Sequence, residues 1–302
     1  MNERELLEAA SRLPKSIEPP RDLWPGIEAR LRPSRRWYWV ALAAAAILAL
    51  VIVETRSDVW KVTWLAGSGP QSLRVGETVV TDDSSRAVVQ VGDIGQVEVK
   101  PGSRLRLLGA NRSDHRLALD VGEIYARVDA PPRIFFVETP AGVAVDLGCA
   151  YTLRVDAEGK GFLDVTAGAV EFEWAGRRAV VPLTFRTEIR PGFGPGVPVV
   201  ADAAVAFRGA LAALEFDGDQ SALTRVLALA RADDAISLWH LLSRTTGEAR
   251  VAVYDRLVTL VPLPAGVERD AVLRLDRGAL DTYWNYLPHS VWLKGLKKKK
   301  GV

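Results

Sequence analysis

The chain has 302 residues, 48% of them hydrophobic and 25% charged, which leaves room for one or two ordinary globular domains. A formal net charge of +2 offers no electrostatic case for direct nucleic-acid binding, which needs a basic excess on one face. Cys149 is the single cysteine, so an intramolecular disulfide and any cysteine-cluster zinc site are excluded. The three histidines, His115, His240 and His289, show no metal-binding spacing, and neither GxSxG nor a phosphate-cradling glycine motif occurs. No catalytic residue, metal or cofactor is therefore expected.

Residues 1–36 read as two short amphipathic helices separated by Pro19 and Pro20. Leu6, Leu7, Ala10 and Leu13 share one helical face, and Leu23, Trp24, Ile27 and Leu31 share another. A segment this short does not bury two such faces by itself, so a partner or a membrane surface should cover them. The partner-binding candidates are thus Leu6, Leu7, Leu13, Leu23, Trp24, Ile27 and Leu31. A plain tether whose Trp24 dips into headgroups is the alternative, although six acids in the segment argue against an anionic leaflet.

Residues 37–53, WYWVALAAAAILALVIV, contain no charge and read as one transmembrane helix. Seventeen residues rise about 25 Å at roughly 1.5 Å each, and Trp37 and Tyr38, with the preceding Arg30, Arg32, Arg35 and Arg36, suit a headgroup layer. The arginine side should stay in the cytoplasm, placing residues 54–302 outside. A buried core helix and a cleaved signal peptide are the competing readings. The arginines disfavour the first, and the long preceding segment with no small-x-small site disfavours the second.

From residue 62 to about 200 the period becomes alternating, with glycine- and proline-marked turns, as in a sandwich, barrel or β-solenoid. Here particular runs become specific. GETVVTDDSSRAVVQVGDIGQVEVKPGSRLRL (residues 76–107) resembles the opening of the FecR-type extracytoplasmic domain. LALDVGEIYARV (117–128), FFVETPAGVAVDLGCAYTLRV (135–155) and VTAGAV (165–170) resemble its later elements in order, with Cys149 where that family usually has Thr and Tyr151 where it has Phe. The resemblance implies an anti-sigma protein or transmembrane sensor of the bacterial inner membrane, with a sigma factor as partner of residues 1–36. The residues themselves support only an inner segment with uncovered apolar faces. Cys149 reads as a small buried strand residue.

Residues 190–198, RPGFGPGVP, read as a linker between separately folding domains. Beyond Asp202, a candidate N-cap, the period is helical: Phe207, Leu211 and Leu214 share one face, Ile236, Trp239 and Leu242 another. Thr245 and Glu248 suggest a capping box, Asp276 a further cap, and His240 a surface or core-edge residue. The Lys297–Lys300 tail reads as a solvated end or a contact to anionic headgroups or wall polymer. The expected architecture is multidomain: a cytoplasmic helical segment (1–36), a transmembrane helix (37–53), an all-β FecR-like domain (62–200) and an all-α domain of helical hairpins (203–302). The expected role is a periplasm-facing, non-enzymatic anti-sigma factor or signal transducer without nucleic-acid contact. An envelope-binding module that holds a wall polymer or another protein is the alternative.

Overall fold

The computed structural model describes residues 59–287, all within one compact unit, Arg56–Val302. Sixteen strands occupy its first part: β1 (Val59–Ala66), β2 (Ser72–Arg74), β3 (Thr78–Val80), β4 (Arg86–Val91), β5 (Gly95–Val99), β6 (Arg104–Asn111), β7 (Asp114–Val128), β8 (Phe135–Thr139), β9 (Gly142–Asp146), β10 (Ala150–Val155), β11 (Gly161–Ala167), β12 (Ala169–Trp174), β13 (Arg177–Pro182), β14 (Phe185–Arg190), β15 (Gly194–Pro195) and β16 (Val199–Val200). They form two ladders that share β7. One runs β1-β4-β5-β7-β10-β11-β14, and the other runs β3-β6-β7-β8-β9-β12-β13. All pairs are antiparallel except β7 with β8.

Period-2 alternation turns one face of each ladder inward. Across the first ladder Val62, Val89, Val97, Ala126, Tyr151 and Val165 stand opposite one another, all buried. Across the second, Leu107, Leu117, Val137, Ala144, Phe172 and Ala179 do the same. Each larger side chain in these rows contributes roughly 1.5–3 kcal/mol relative to exposure. The alternation in 117–119 and 124–128 belongs to one strand that changes ladder at Gly122. That residue takes φ 103°, and a Cβ on it would stand 2.4 Å from Ser103 Cα. Ser103 ties the bend by accepting from the Glu123 N–H at 2.9 Å and donating to the Glu123 carbonyl at 3.1 Å.

The helices are α1 (Val205–Phe216), α2 (Ala222–Leu229), a 3-10 turn (Ala232–Asp234), α3 (Ala235–Arg244), α4 (Gly247–Leu260), α5 (Arg269–Leu273) and α6 (Arg277–Tyr286). Asp276 caps α6, its Oδ1 accepting from the Ala279 N–H at 2.9 Å. The other two expected caps differ. α1 starts after Ala204 without help from Asp202, and Thr245 Oγ1 donates back to the Leu241 carbonyl at 2.8 Å instead of capping α4.

The expected multidomain fold class needs correction on two counts. No helix among the described residues is long and apolar enough to cross a membrane; the run 37–53, on which that expectation rested, lies outside them, as do residues 1–36. What the described chain shows is a large β-sheet domain with a helical region docked on it. The helices also do not form a separate body, because residues 194–198 of the expected linker, with Val199 and Val200 after them, are buried between them and the sheet. Short pairings with β14 at 194–195 and 199–200 hold part of that segment's backbone, and side chains satisfy the rest. The Pro195 carbonyl accepts from Arg177 Nε at 2.9 Å, Gly196 from Thr187 Oγ1 at 2.8 Å, and Pro198 from Ser237 Oγ at 2.6 Å. Gly194, at φ 84°, lies so close to Trp174 that a Cβ would meet the indole's Cβ at 2.6 Å.

Candidate functional site

A groove of about 580 Å³ opens where the ends of β10, β11 and β14 meet α1. That is within the range of sites for small organic ligands. Its floor is Phe162 of β11, with the Arg186 guanidinium 4.6 Å from the ring centroid. Phe216 of α1 forms the far wall, packed on Phe193 at 4.7 Å and covered by Arg190 at 3.9 Å. Three further cations line the groove: Arg154 from β10, Lys160 from the β10–β11 turn and Arg208 from α1.

Beneath the groove lies a buried charge cluster centred on Glu215, one turn after Leu211 on the inward face of α1. Its carboxylate accepts from Arg177 at 2.6 Å and from Arg244 at 2.9 and 2.8 Å, and also from the Val197 N–H at 2.5 Å. Arg244 reaches on to the carbonyls of Arg178 and Gly196 at 3.2 and 3.3 Å. The Glu215 and Arg244 side chains are only 5% and 9% exposed, so this is an interior pair that joins β13, the 194–200 segment, α1 and α3. Burial, and after it the neighbouring Arg244, pulls Arg177 below the ordinary guanidinium range.

His240, expected at the surface or the core edge, completes the joint and is buried. Its Nδ1 pairs with the Ile236 carbonyl at 2.8 Å and its Nε2 accepts from the Val180 N–H at 3.1 Å, which fixes the neutral Nδ1–H tautomer. Burial first, then Arg244, hold its pKa down to about 3. The imidazole thus extends a hydrogen bond from the outer edge of β13 into α3.

A second buried polar group sits in the β domain. Asp146, at the end of β9, accepts from the Cys149 thiol and, at 2.6 Å, from the Gly148 N–H. Burial raises Asp146 to about 6 and drives Cys149 well above its usual value, so the cysteine is an inert thiol. Among the described residues no group of three or more His, Cys, Asp or Glu side chains is placed to hold a metal.

The family model described as FecR protein matches residues 77–171, from the turn before β3 to the middle of β12. The chain carries a FecR domain. Two crystal structures of a proposed anti-sigma factor from Parabacteroides distasonis align with it at 16% and 17% identity and TM-scores of 0.35 and 0.30. The alignments cover 39% and 44% of this chain and 57% of each of those chains. Scores that low do not establish a shared fold. No curated protein matches the chain.

The FecR domain supplies Arg154, Lys160 and Phe162, whereas Arg186, Arg208, Glu215 and Phe216 lie beyond its end. The groove is therefore a joint product of the domain and the helical region. None of its residues was among the expected partner-binding positions. Those seven, Leu6, Leu7, Leu13, Leu23, Trp24, Ile27 and Leu31, lie outside the described residues. One signal in the sequence does point to the buried cluster: Glu215 falls eight residues after Phe207 and four after Leu211, on the stripe that the helix period assigns to the core.

Proposed function

We propose that the chain is a FecR-type regulator that holds a sigma factor through residues 1–36 and receives its signal through the sheet-and-helix unit. The observation that carries this reading is the FecR domain at residues 77–171. The FecR family is a family of envelope-associated regulators, and it supports a signal transducer in preference to an enzyme. The two apolar faces that the sequence predicts for residues 1–36 would supply a contact of the right size for a helical partner. In this reading Trp24 is the principal anchor, as the one aromatic residue in that segment.

Affinity purification of the tagged full chain from its own bacterium tests the proposal. A sigma factor should copurify with the native chain and be lost from Trp24→Ala at equal protein level. Recovery of the same sigma factor with both, or with neither, would remove residues 1–36 as its binding site. The alternative, an envelope-binding module with no sigma partner, draws its support from the cationic groove and would be favoured by the second of those outcomes.

A further inference from the structure

The charges around the groove do not balance locally. Of its three carboxylates, Glu215 is consumed by Arg177, Arg244 and a backbone N–H, and Glu188 pairs with Arg190 at 3.2 Å. Asp156 is spent on its own turn, accepting from the N–H groups of Glu158 and Lys160 at 3.0 and 2.8 Å. Among the described residues Arg186 has only Asp164, at 3.7 Å, and its place over Phe162. Arg154, Lys160 and Arg208 have no carboxylate within ion-pair distance and no side-chain hydrogen bond among the described residues. Three cations from three different elements thus line one concavity without partners of their own.

The rest of the wall is apolar. Val199 and Leu211 are buried beneath the opening, Ala212 leaves space above them, and the Phe162 and Phe216 rings flank it. A fully hydrated inorganic anion would use the cations and leave the aromatic surface wet, while a neutral apolar molecule would leave the cations idle. An amphiphilic organic anion uses both, with its oxyanion held by guanidinium donors and its body against the rings. We propose that the groove is a binding site for a small amphiphilic organic anion, with a carboxylate or phosphate head and an apolar body. The site lies across the end of the FecR domain and α1, above the Glu215 cluster. A ligand there would bridge the two parts of the unit. This inference is independent of whether residues 1–36 hold a sigma factor.

The test is fluorescence titration of the full chain with anilinonaphthalene sulfonate, an anion with an apolar body, followed by displacement. Dodecanoate and dodecyl phosphate, both kept below micelle-forming concentrations, are the displacing anions. Dodecyltrimethylammonium is the control of opposite charge, and the stronger of the two anions identifies the head group. The variants are Arg154→Gln with Arg208→Gln, which removes charge, and Ala212→Phe, which fills the space and keeps the charge. Arg127→Gln, on the exposed side of β7 outside the groove, is the control. The expected result is one saturable site displaced by at least one of the anions, at least tenfold weaker in both groove variants and unchanged in Arg127→Gln. All variants should keep the parent's unfolding midpoint, so that dye binding to loosened protein is not misread. Absence of a saturable site, equal binding by the groove variants, or equal displacement by the ammonium surfactant would each overturn the proposal.

Discussion

Replacing Arg244 with methionine keeps most of the stem and removes the guanidinium from the Glu215 cluster. Glu215 would keep Arg177 and the Val197 N–H, while the carbonyls of Pro195, Gly196 and Arg178 would each lose a donor. Breaking a buried ion pair by removing one partner costs about 3–5 kcal/mol, and the low exposure of both side chains places this pair in that class. Arg177 stays to share the charge, so about 3 kcal/mol is the expected loss. At about 2–4 °C per kcal/mol for a unit of this size, the midpoint of thermal unfolding should drop by about 6–12 °C. Circular dichroism near 222 nm, which weights helix, and near-ultraviolet aromatic signals should shift together, since the cluster joins sheet and helices. The Glu215→Gln and double variants would close a cycle with a coupling of about 1–3 kcal/mol. A fall of under about 1 kcal/mol, or helices melting apart from the sheet in the unsubstituted chain, would refute the claim that this cluster locks the two together.

Asp146→Asn should stabilise the chain by roughly 1–3 kcal/mol near pH 8, where the native aspartate must be ionised inside the sheet. Because folding raises this carboxyl to about 6, its favourable contribution is complete below an unfolded value near 3.8 and is lost as pH rises through about 6; urea unfolding at several pH values would show it. His240 acts in the opposite sense. Its folded pKa of about 3 lies below the unfolded value of about 6.5, so its contribution is present above 6.5 and declines as pH falls toward 3. In the Asp146→Asn background, acidification from about pH 7.5 to about 4.5 should cost roughly 2–3 kcal/mol, a loss that His240→Gln should largely abolish. Gly122→Ala should destabilise by at least about 2 kcal/mol in the same assay, because its Cβ would press on the Ser103 backbone at a positive φ.

The β region was legible because each inward row is made of aliphatic residues two apart, and the runs from Val79 to Trp174 that alternate in sequence are strands in the structure. The union of 117–119 and 124–128 into one bent strand was hidden, since a glycine at a bend and a glycine at a turn look alike in sequence. Residues 190–198 were misread for a clearer physical reason. Their prolines and glycines allow only short pairings with β14, and the side chains that satisfy the rest, the donors Arg177, Thr187 and Ser237 and the acceptor Glu215, come from four other places in the chain. The depth of His240 is hidden in sequence likewise, because its partner is the Val180 N–H on a strand edge sixty residues away. The groove depends on that same long-range docking, so Arg154, Lys160 and Arg208 have no common pattern in sequence.

The regulatory reading is tested most directly by a promoter reporter for the copurifying sigma factor in cells lacking this gene. Loss of the chain should raise reporter output; the full chain should restore repression, and Trp24→Ala at the same level should not. Arg4→Ala, on the side that the sequence predicts to be polar, should repress like the parent. Reporter output that ignores loss of the chain, or full repression by Trp24→Ala, would contradict the account.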